Sequence, residues 1–249
     1  MRLNVGIYVM KELYSVGLDI RFWAFLEGRE IAVYSSERKR ALCGWLKKNH
    51  RKEFSSPLKM QKYLFFYELL SKMENGDAEL GTLKGYRNGP VFSDVFGDRR
   101  HEELIFEKEV ENVYERNPFL VDEERAKFAG FLVSIMSDQE LSELTHQFNI
   151  WNSKSERIKK NEKQVPLDEK DFNSDDQEIL NTLREAYPTE YINSVYTLDI
   201  GAIHFVIDID NADRISEAHM DILWQLSKNK DLENPVYIDF SENGVLLVD

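Results

Sequence analysis

Apolar runs bounded by helix-start signals dominate the middle of the chain. Ser56 and Pro57 supply an N-cap and a proline at the first helical position, which together mark a helix start. The residues that follow, 58–70, are apolar on more than one side, as in a helix that is buried on several faces. We predict a buried helix that ends near Asn75-Gly76, because glycine commonly follows a helix end.

Three further capping sequences predict helices downstream. Asp122 precedes an apolar stretch, and its carboxylate can accept from the backbone of the first turn. Ser137 with Glu140, and Ser174 with Gln177, fit the capping box, in which two side chains satisfy each other's backbone N–H groups. The middle of the chain is therefore expected to be mainly helical. The predicted helices cover about residues 123–132, 140–147 and 177–186.

The N-terminal flank has a different pattern. Residues 21–26 and 30–34 are rich in aromatic and apolar side chains, and they flank Glu27-Gly28-Arg29. Two such runs around a glycine-containing turn predict a β-hairpin.

The C-terminal flank also predicts strands. Residues 196–209 are rich in β-branched side chains, and residues 216–226 have a helical pattern. Residues 236–240 and 245–248 flank Asn243-Gly244, which is a strong hairpin turn. We therefore predict a small α+β appendage at the end of the chain.

These elements together predict an α+β fold with a mainly helical core and short β hairpins in both flanks. The expected organisation is a flank of residues 1–50, a helical domain of residues 51–189, and an appendage of residues 190–249. A chain of 249 residues with 42% hydrophobic residues is long enough to bury a full core.

Net charge and cysteine content limit the classes of partner and the compartment that we expect. Forty-five acidic residues against 32 basic ones give a formal net charge of -13, which repels phosphate backbones and makes a nucleic-acid partner unlikely. Cys43 is the single cysteine, so no disulfide framework can form. No stretch approaches the ~18 apolar residues of a membrane span. We expect a cytoplasmic protein without a signal peptide or a membrane partner.

Catalytic and metal-binding motifs are not apparent. The five histidines are scattered without paired spacing, and no phosphate-binding glycine loop or nucleophile elbow occurs. We predict no cofactor, no metal and no enzyme activity.

Two weaker candidates for chemistry have simpler interpretations. Asp208, Asp210 and Asp213 could bind a cation, but a calcium loop would need glycine where Asp213 stands and glutamate where His219 stands. We favour a strand end that leads into a helix. A Cys43–His146 pair has no supporting local motif, and a lone cysteine between apolar residues is usually a small core residue.

Basic residues are concentrated in residues 38–52. This segment could contact nucleic acid or an acidic partner, but we favour the solvated face of an amphipathic helix whose apolar face carries Leu42, Trp45 and Leu46.

The segment Gly85-Tyr86-Arg87-Asn88-Gly89-Pro90-Val91 carries strong backbone constraints. Asn88 favours turn or extended geometry, Gly89 permits positive φ, and Pro90 has a φ suited to a helix start. Val91, Phe92, Val95 and Phe96 follow at helical spacing. We predict a rigid corner that leads into a buried helix.

A second cluster combines Thr145 and His146 with Trp151, five residues farther on. Hydrogen bonds from these side chains, covered by the indole ring, could hold the next loop in place. The cluster could instead be an interaction surface, but we favour the structural role.

These motifs together resemble the Panacea (SocA-like) antitoxin domain over residues 58–187. The resemblance rests on three motifs: the Leu58-Lys-Met-Gln61-Lys-Tyr-Leu64 helix, the Tyr-x-x-Gly-Pro-Val segment that ends at Val91, and Leu144-Thr-His with Trp151. The chain departs from the usual pattern at Asn88, where a tyrosine is common, at Met60, where leucine precedes the glutamine, and at the bulky Phe65-Phe66. The motif residues, with a structural or interface role, are Gln61, Tyr86, Asn88, Gly89, Pro90, Val91, Thr145, His146 and Trp151.

The resemblance implies an antitoxin that neutralises a cognate toxin by direct binding, the toxin being encoded by the adjacent gene. One alternative is a phage or prophage anti-defence factor, or a protease adaptor, that binds a host protein. Another is a metal-dependent enzyme that uses the three aspartates or His146. Partner specificity is expected from the two flanks.

Overall fold

A single buried helix organises the larger part of the molecule. The structure is a computed structural model that describes residues 33–74, 76–229, 231–241 and 243–248. The predicted N-terminal hairpin falls almost entirely outside these residues. The described chain is mainly helical with two small sheets, so the α+β prediction is confirmed.

The α-helices of the described chain lie between Glu37 and Leu226. They are α1 (Glu37–Asn49), α2 (Arg51–Ser55), α3 (Pro57–Glu74), α4 (Ser93–His101), α5 (Glu103–Arg116), α6 (Glu123–Ile135), α7 (Asp138–Gln147), α8 (Asn149–Asn152), α9 (Ser155–Lys159), α10 (Ser174–Ala186), α11 (Thr189–Ser194) and α12 (Glu217–Leu226). The strands are β1 (Leu83–Tyr86), β2 (Gly89–Phe92), β3 (Val165–Pro166), β4 (Val195–Ile200), β5 (Ile203–Asp208), β6 (Val236–Phe240) and β7 (Leu246–Val248). Short 3₁₀ turns occur at Pro118–Leu120, Glu169–Asp171 and Ile209–Arg214.

The helix α3 is buried nearly all round, as its sequence predicts. It packs against α1, α2, α6, α7 and β2, so every side of the cylinder has a neighbour. Tyr63, Phe65, Phe66 and Leu70 are fully buried within the main core. This enclosure explains why its sequence lacks a polar stripe.

The helix starts agree with the capping predictions in two cases and differ in a third. Asp122 accepts from the backbone N of Arg125, and Ser137 forms a capping box with Glu140. The α10 box uses Asn173 with Asp176 and not Ser174 with Gln177. The prediction was wrong by one residue because either an asparagine or a serine can serve as an N-cap.

Two sheets divide the strands between the core and the C-terminal part. The first has the order β2-β1-β3 and lies within the predicted helical domain, where no strand was expected. The second has the order β4-β5-β6-β7, with β5 and β6 parallel and the other pairs antiparallel. Its hairpins β4–β5 and β6–β7 confirm the C-terminal strand predictions.

The four-stranded sheet is attached to the helical part through both apolar and ionic contacts. Val206 on β5 packs with Phe131 and Ile135 of α6. Lys52 Nζ lies 3.0 Å from a carboxylate oxygen of Asp199, whose other oxygen pairs with His204. The expected domain boundary after residue 189 falls inside α11, which packs on α6.

The basic segment of residues 38–52 is less solvated than predicted. Lys48 and Lys52 are exposed, but Lys39 is buried and its Nζ lies 2.8 Å from Asp94. Arg38 pairs with the buried carboxylate of Glu68. The predicted solvated face therefore holds for Lys48 and Lys52 and is wrong for Lys39, because Asp94, from a distant part of the chain, pairs with it.

Candidate binding site at the Gly-Pro hairpin

The segment of residues 85–91 forms a β-hairpin. Tyr86 pairs with Gly89 across a turn made by Arg87 and Asn88. Gly89 has a φ of +102°, the geometry of a turn that is completed by a glycine bulge. The predictions of a turn at Asn88 and of a positive φ at Gly89 are confirmed.

Pro90 does not begin a helix, which corrects the predicted corner. It lies in β2 opposite Gly85, and α4 starts only at Ser93. Its fixed φ also suits extended backbone, and β2 is an edge strand of its sheet, where a missing N–H is tolerated. Another N–H of this strand, that of Phe92, donates 2.7 Å to Gln61 Oε1 on α3. Gln61 thus ties the hairpin to the central helix.

Both the tight packing around position 89 and its backbone conformation require a glycine there. A Cβ at this position would stand 2.0 Å from Lys62 Nζ and 2.5 Å from Thr145 Oγ1. Both groups lie far below normal contact distance from such an atom, and the positive φ adds strain for any L side chain. Helices α3 and α7 therefore approach the hairpin turn closely at Gly89, where no side chain stands in the way.

Lys62 is a buried cation beneath this turn. Its side chain is 1% exposed, and Nζ donates a 2.6 Å hydrogen bond to the Asn88 carbonyl oxygen. No carboxylate of the described residues forms an ion pair with it, and burial lowers its pKa to about 7. In the sequence, Lys62 stands out only as part of the helix motif. The available signal was a lysine flanked by apolar residues inside a helix without a polar face.

Trp151 and His146 hold the other side of the hairpin. The indole Nε1 donates to the Tyr86 carbonyl oxygen at 3.1 Å, and the imidazole ring of His146 stacks on the indole with centroids 3.9 Å apart. Burial lowers the pKa of His146, with a further contribution from the nearby Lys62 ammonium. The two rings therefore fix the first hairpin strand against the helical part.

Thr145 acts differently from the prediction. Its hydroxyl donates to carbonyl oxygens within its own helix, 2.9 Å from Leu141 O and 3.1 Å from Ser142 O. The side chain is fully buried against Gly89. It fills space below the turn and does not hold the loop after α7, since local backbone acceptors are closer.

Asp176 is a positioning residue that the motif analysis missed. Its carboxylate is fully buried and accepts from the backbone N–H groups of Asn149 and Ile150, at the start of α8. That short helix carries Trp151. The Asp176 carboxylate of α10 thus caps the start of α8 and positions the helix that carries the indole. The contact joins residues 27 positions apart, so local sequence does not reveal it.

Most of the motif residues line one cavity of about 310 Å³. Its walls include Gln61, Tyr86, Asn88, Pro90 and Val91. Thr145, His146 and Trp151 support the hairpin that forms one wall. The structure therefore brings the three sequence motifs together at one place.

The other candidates for chemistry lie apart from this cavity. Cys43 is fully buried, and burial raises the pKa of its thiol. Asp208 ends β5 and caps the 3₁₀ turn through the N–H of Asp210, as the favoured interpretation predicts. Within the described ranges, no group of three or more His, Cys, Asp or Glu side chains is arranged to hold a metal ion. None of the helices described is long and apolar enough to span a bilayer.

The family resemblance rests on the residues quoted above. Comparisons of the chain with protein-family models, with curated proteins and with solved structures find no match.

Proposed function

We propose that this protein is an antitoxin-type binding protein that neutralises a cognate toxin by direct contact, in the cytoplasm. The toxin is expected to be the product of the adjacent gene. The helical part with its hairpin serves as the scaffold, and the flanks select the partner.

The observation that carries this proposal is the convergence of the three motifs. Gln61 holds the edge of β2, Gly89 packs on Lys62 and Thr145, and Trp151 binds Tyr86. Motifs that are 90 residues apart in sequence form one connected unit, which is the behaviour expected of a family scaffold. This convergence supports the resemblance from which the function is inferred.

The C-terminal part offers a surface suited to a protein partner. Met220 and Trp224 lie one helical turn apart on α12, and they are 39% and 50% exposed. Leu223 on the same helix is fully buried against the sheet. Exposed tryptophan next to methionine is typical of interface hot spots, because large apolar side chains gain most from burial by a partner.

Co-expression with the adjacent gene tests the proposal. The neighbour alone should arrest growth, and this chain should restore growth and co-purify with the neighbour. A neighbour that is harmless alone and does not bind this chain would remove the antitoxin function. If a tagged chain instead recovers a protease or an immune effector of the host, the adaptor or anti-defence alternative replaces it.

A further inference from the structure

Two cavities meet at Gln61 and form one groove. The 310 Å³ cavity at the hairpin and a neighbouring cavity of about 340 Å³ share Pro57, Gln61 and Phe96 as lining residues. We call their union the Gln61 groove. Each half is near the lower end of the range for small-molecule sites, about 300–1,000 Å³.

The unused polar groups of the hairpin half are hydrogen-bond donors. Gln61 is 3% exposed, and while its Oε1 accepts from Phe92, its buried Nε2 has no partner among the described residues. Lys62 also lines this half, and among the described residues one carbonyl oxygen accepts from its ammonium group. That oxygen, of Asn88, also receives the Ser142 hydroxyl at 3.3 Å. Gln61 Nε2 and Lys62 Nζ are therefore buried donors with hydrogen-bonding capacity left for a ligand.

These buried donors lower the stability of the folded protein. A buried amide N–H without a partner destabilises the fold, and a buried ammonium group without a counter-charge does so more strongly. Perturbed, unpaired groups of this kind cluster at ligand sites. Leu58, Val91 and Phe96 supply apolar lining that suits a short aliphatic chain.

We propose that the Gln61 groove binds a carboxylate attached to a short aliphatic chain, with Gln61 Nε2 and Lys62 Nζ donating to its oxygens. A singly charged group matches the single ammonium group of Lys62, and Arg87 of the same half also favours an anion. The second half is lined by Arg99 and Arg100 together with Glu103. The carboxylate could belong to a free acid or to an acidic side chain of a bound protein. This inference does not depend on the antitoxin proposal.

The test uses the full chain with lysine ¹³C labelled at the ε-carbon, followed by NMR. Butyrate should shift the Lys62 ε-methylene resonance in a saturable way below about 10 mM, because a bound carboxylate stabilises the charged amine. Butyramide has nearly the same shape without the charge and should not do so.

Two variants separate binding from folding. Gln61→Glu keeps an acceptor for the Phe92 N–H and replaces the donor with an acidic oxygen, so affinity should fall at least about tenfold. Lys62→Met removes the cation and should lower the affinity by a similar factor. Because this variant lacks the Lys62 signal, its binding is measured from the backbone amide resonances of the hairpin. Lys84→Met, on β1 outside the groove lining, is the matched control and should bind as the wild type does.

The proposal is overturned if the acid and the amide bind alike, if neither binds, or if both groove variants retain affinity. A capped Ala-Glu-Ala peptide distinguishes the two sources. Binding at least about tenfold tighter than butyrate indicates a protein-borne side chain, and equal or weaker binding indicates a free acid. Either result supports a carboxylate site.

Discussion

The Nζ atom of Lys62 donates a 2.6 Å hydrogen bond to the carbonyl oxygen of Asn88, from a position directly below Gly89. A helix and a hairpin that are 26 residues apart in sequence are therefore joined through one buried ammonium group. This contact links the conformation of the turn to the ionisation of a single side chain.

Gly89→Ala should destabilise the protein by about 2–4 kcal/mol, because the new Cβ would collide with Lys62 and Thr145 at a positive φ. Urea denaturation measures the change. Gly97→Ala is the control, since a Cβ there meets nothing within 4 Å and lies inside α4, where alanine is the better helix former. Equal stability of the two variants would contradict the packing described for Gly89.

Lys62→Met should stabilise the protein by about 1–3 kcal/mol below pH 7, even though the bond to Asn88 is lost. Burial lowers the folded-state pKa of Lys62 from 10.5 to about 7, so the unfolded chain binds the extra proton between these values. The destabilising effect of Lys62 is therefore complete below pH 7 and decreases as pH rises towards 10.5.

The stability difference between Lys62→Met and the wild type should thus shrink between pH 7 and pH 10. Urea titrations at several pH values measure it, and the paired comparison cancels titration of buried Tyr63. The pKa of His146, which burial and the Lys62 ammonium lower, lies below this pH window. A difference that is constant with pH would show that Lys62 keeps an ordinary pKa in the folded chain.

Trp151→Phe should lower stability by about 1–2 kcal/mol, because the ring remains while the hydrogen bond to Tyr86 O is lost. His146→Ala should also lower the melting temperature, since it uncovers the stacked indole. Calorimetry measures both. Should His146→Ala leave stability unchanged and abolish partner binding, His146 would belong to the interface instead.

Trp224→Ala should weaken partner binding at least about tenfold, and it should lower stability by about 1–2 kcal/mol because the other half of the side chain packs on the protein. Titration calorimetry against the purified partner measures the affinity. Phe119→Ala is the control, as Phe119 is 78% exposed on the helical part. If both variants bind equally well, the α12 surface does not contact the partner.

Much of the fold follows from local sequence. Ser56-Pro57, Asp122 and the Ser137–Glu140 box mark helix starts that the structure confirms, because capping is satisfied within one turn of chain. The all-round apolar character of α3 likewise predicts its burial. These signals act over a few residues, so sequence alone can report them.

The prediction of a helix start at Pro90 was wrong for a physical reason. Proline at position 90 is compatible with both a helix start and an edge strand, and local preference does not distinguish them. The choice depends on β3 pairing with β1 and on Gln61 accepting from Phe92, which are contacts from elsewhere in the chain. The same limit applies to Asp176, whose partners lie in another helix.

The sequence by itself determined the mainly helical class, the helix starts around the core and the unusual backbone needs of residues 85–91. Only the tertiary structure decided that Lys62 lies below Gly89 without an ion-pair partner among the described residues, and that Gln61 opens onto a groove. Helix caps and turns depend on neighbours along the chain, whereas the ionisation and the spare hydrogen bonds of a side chain depend on which distant groups surround it.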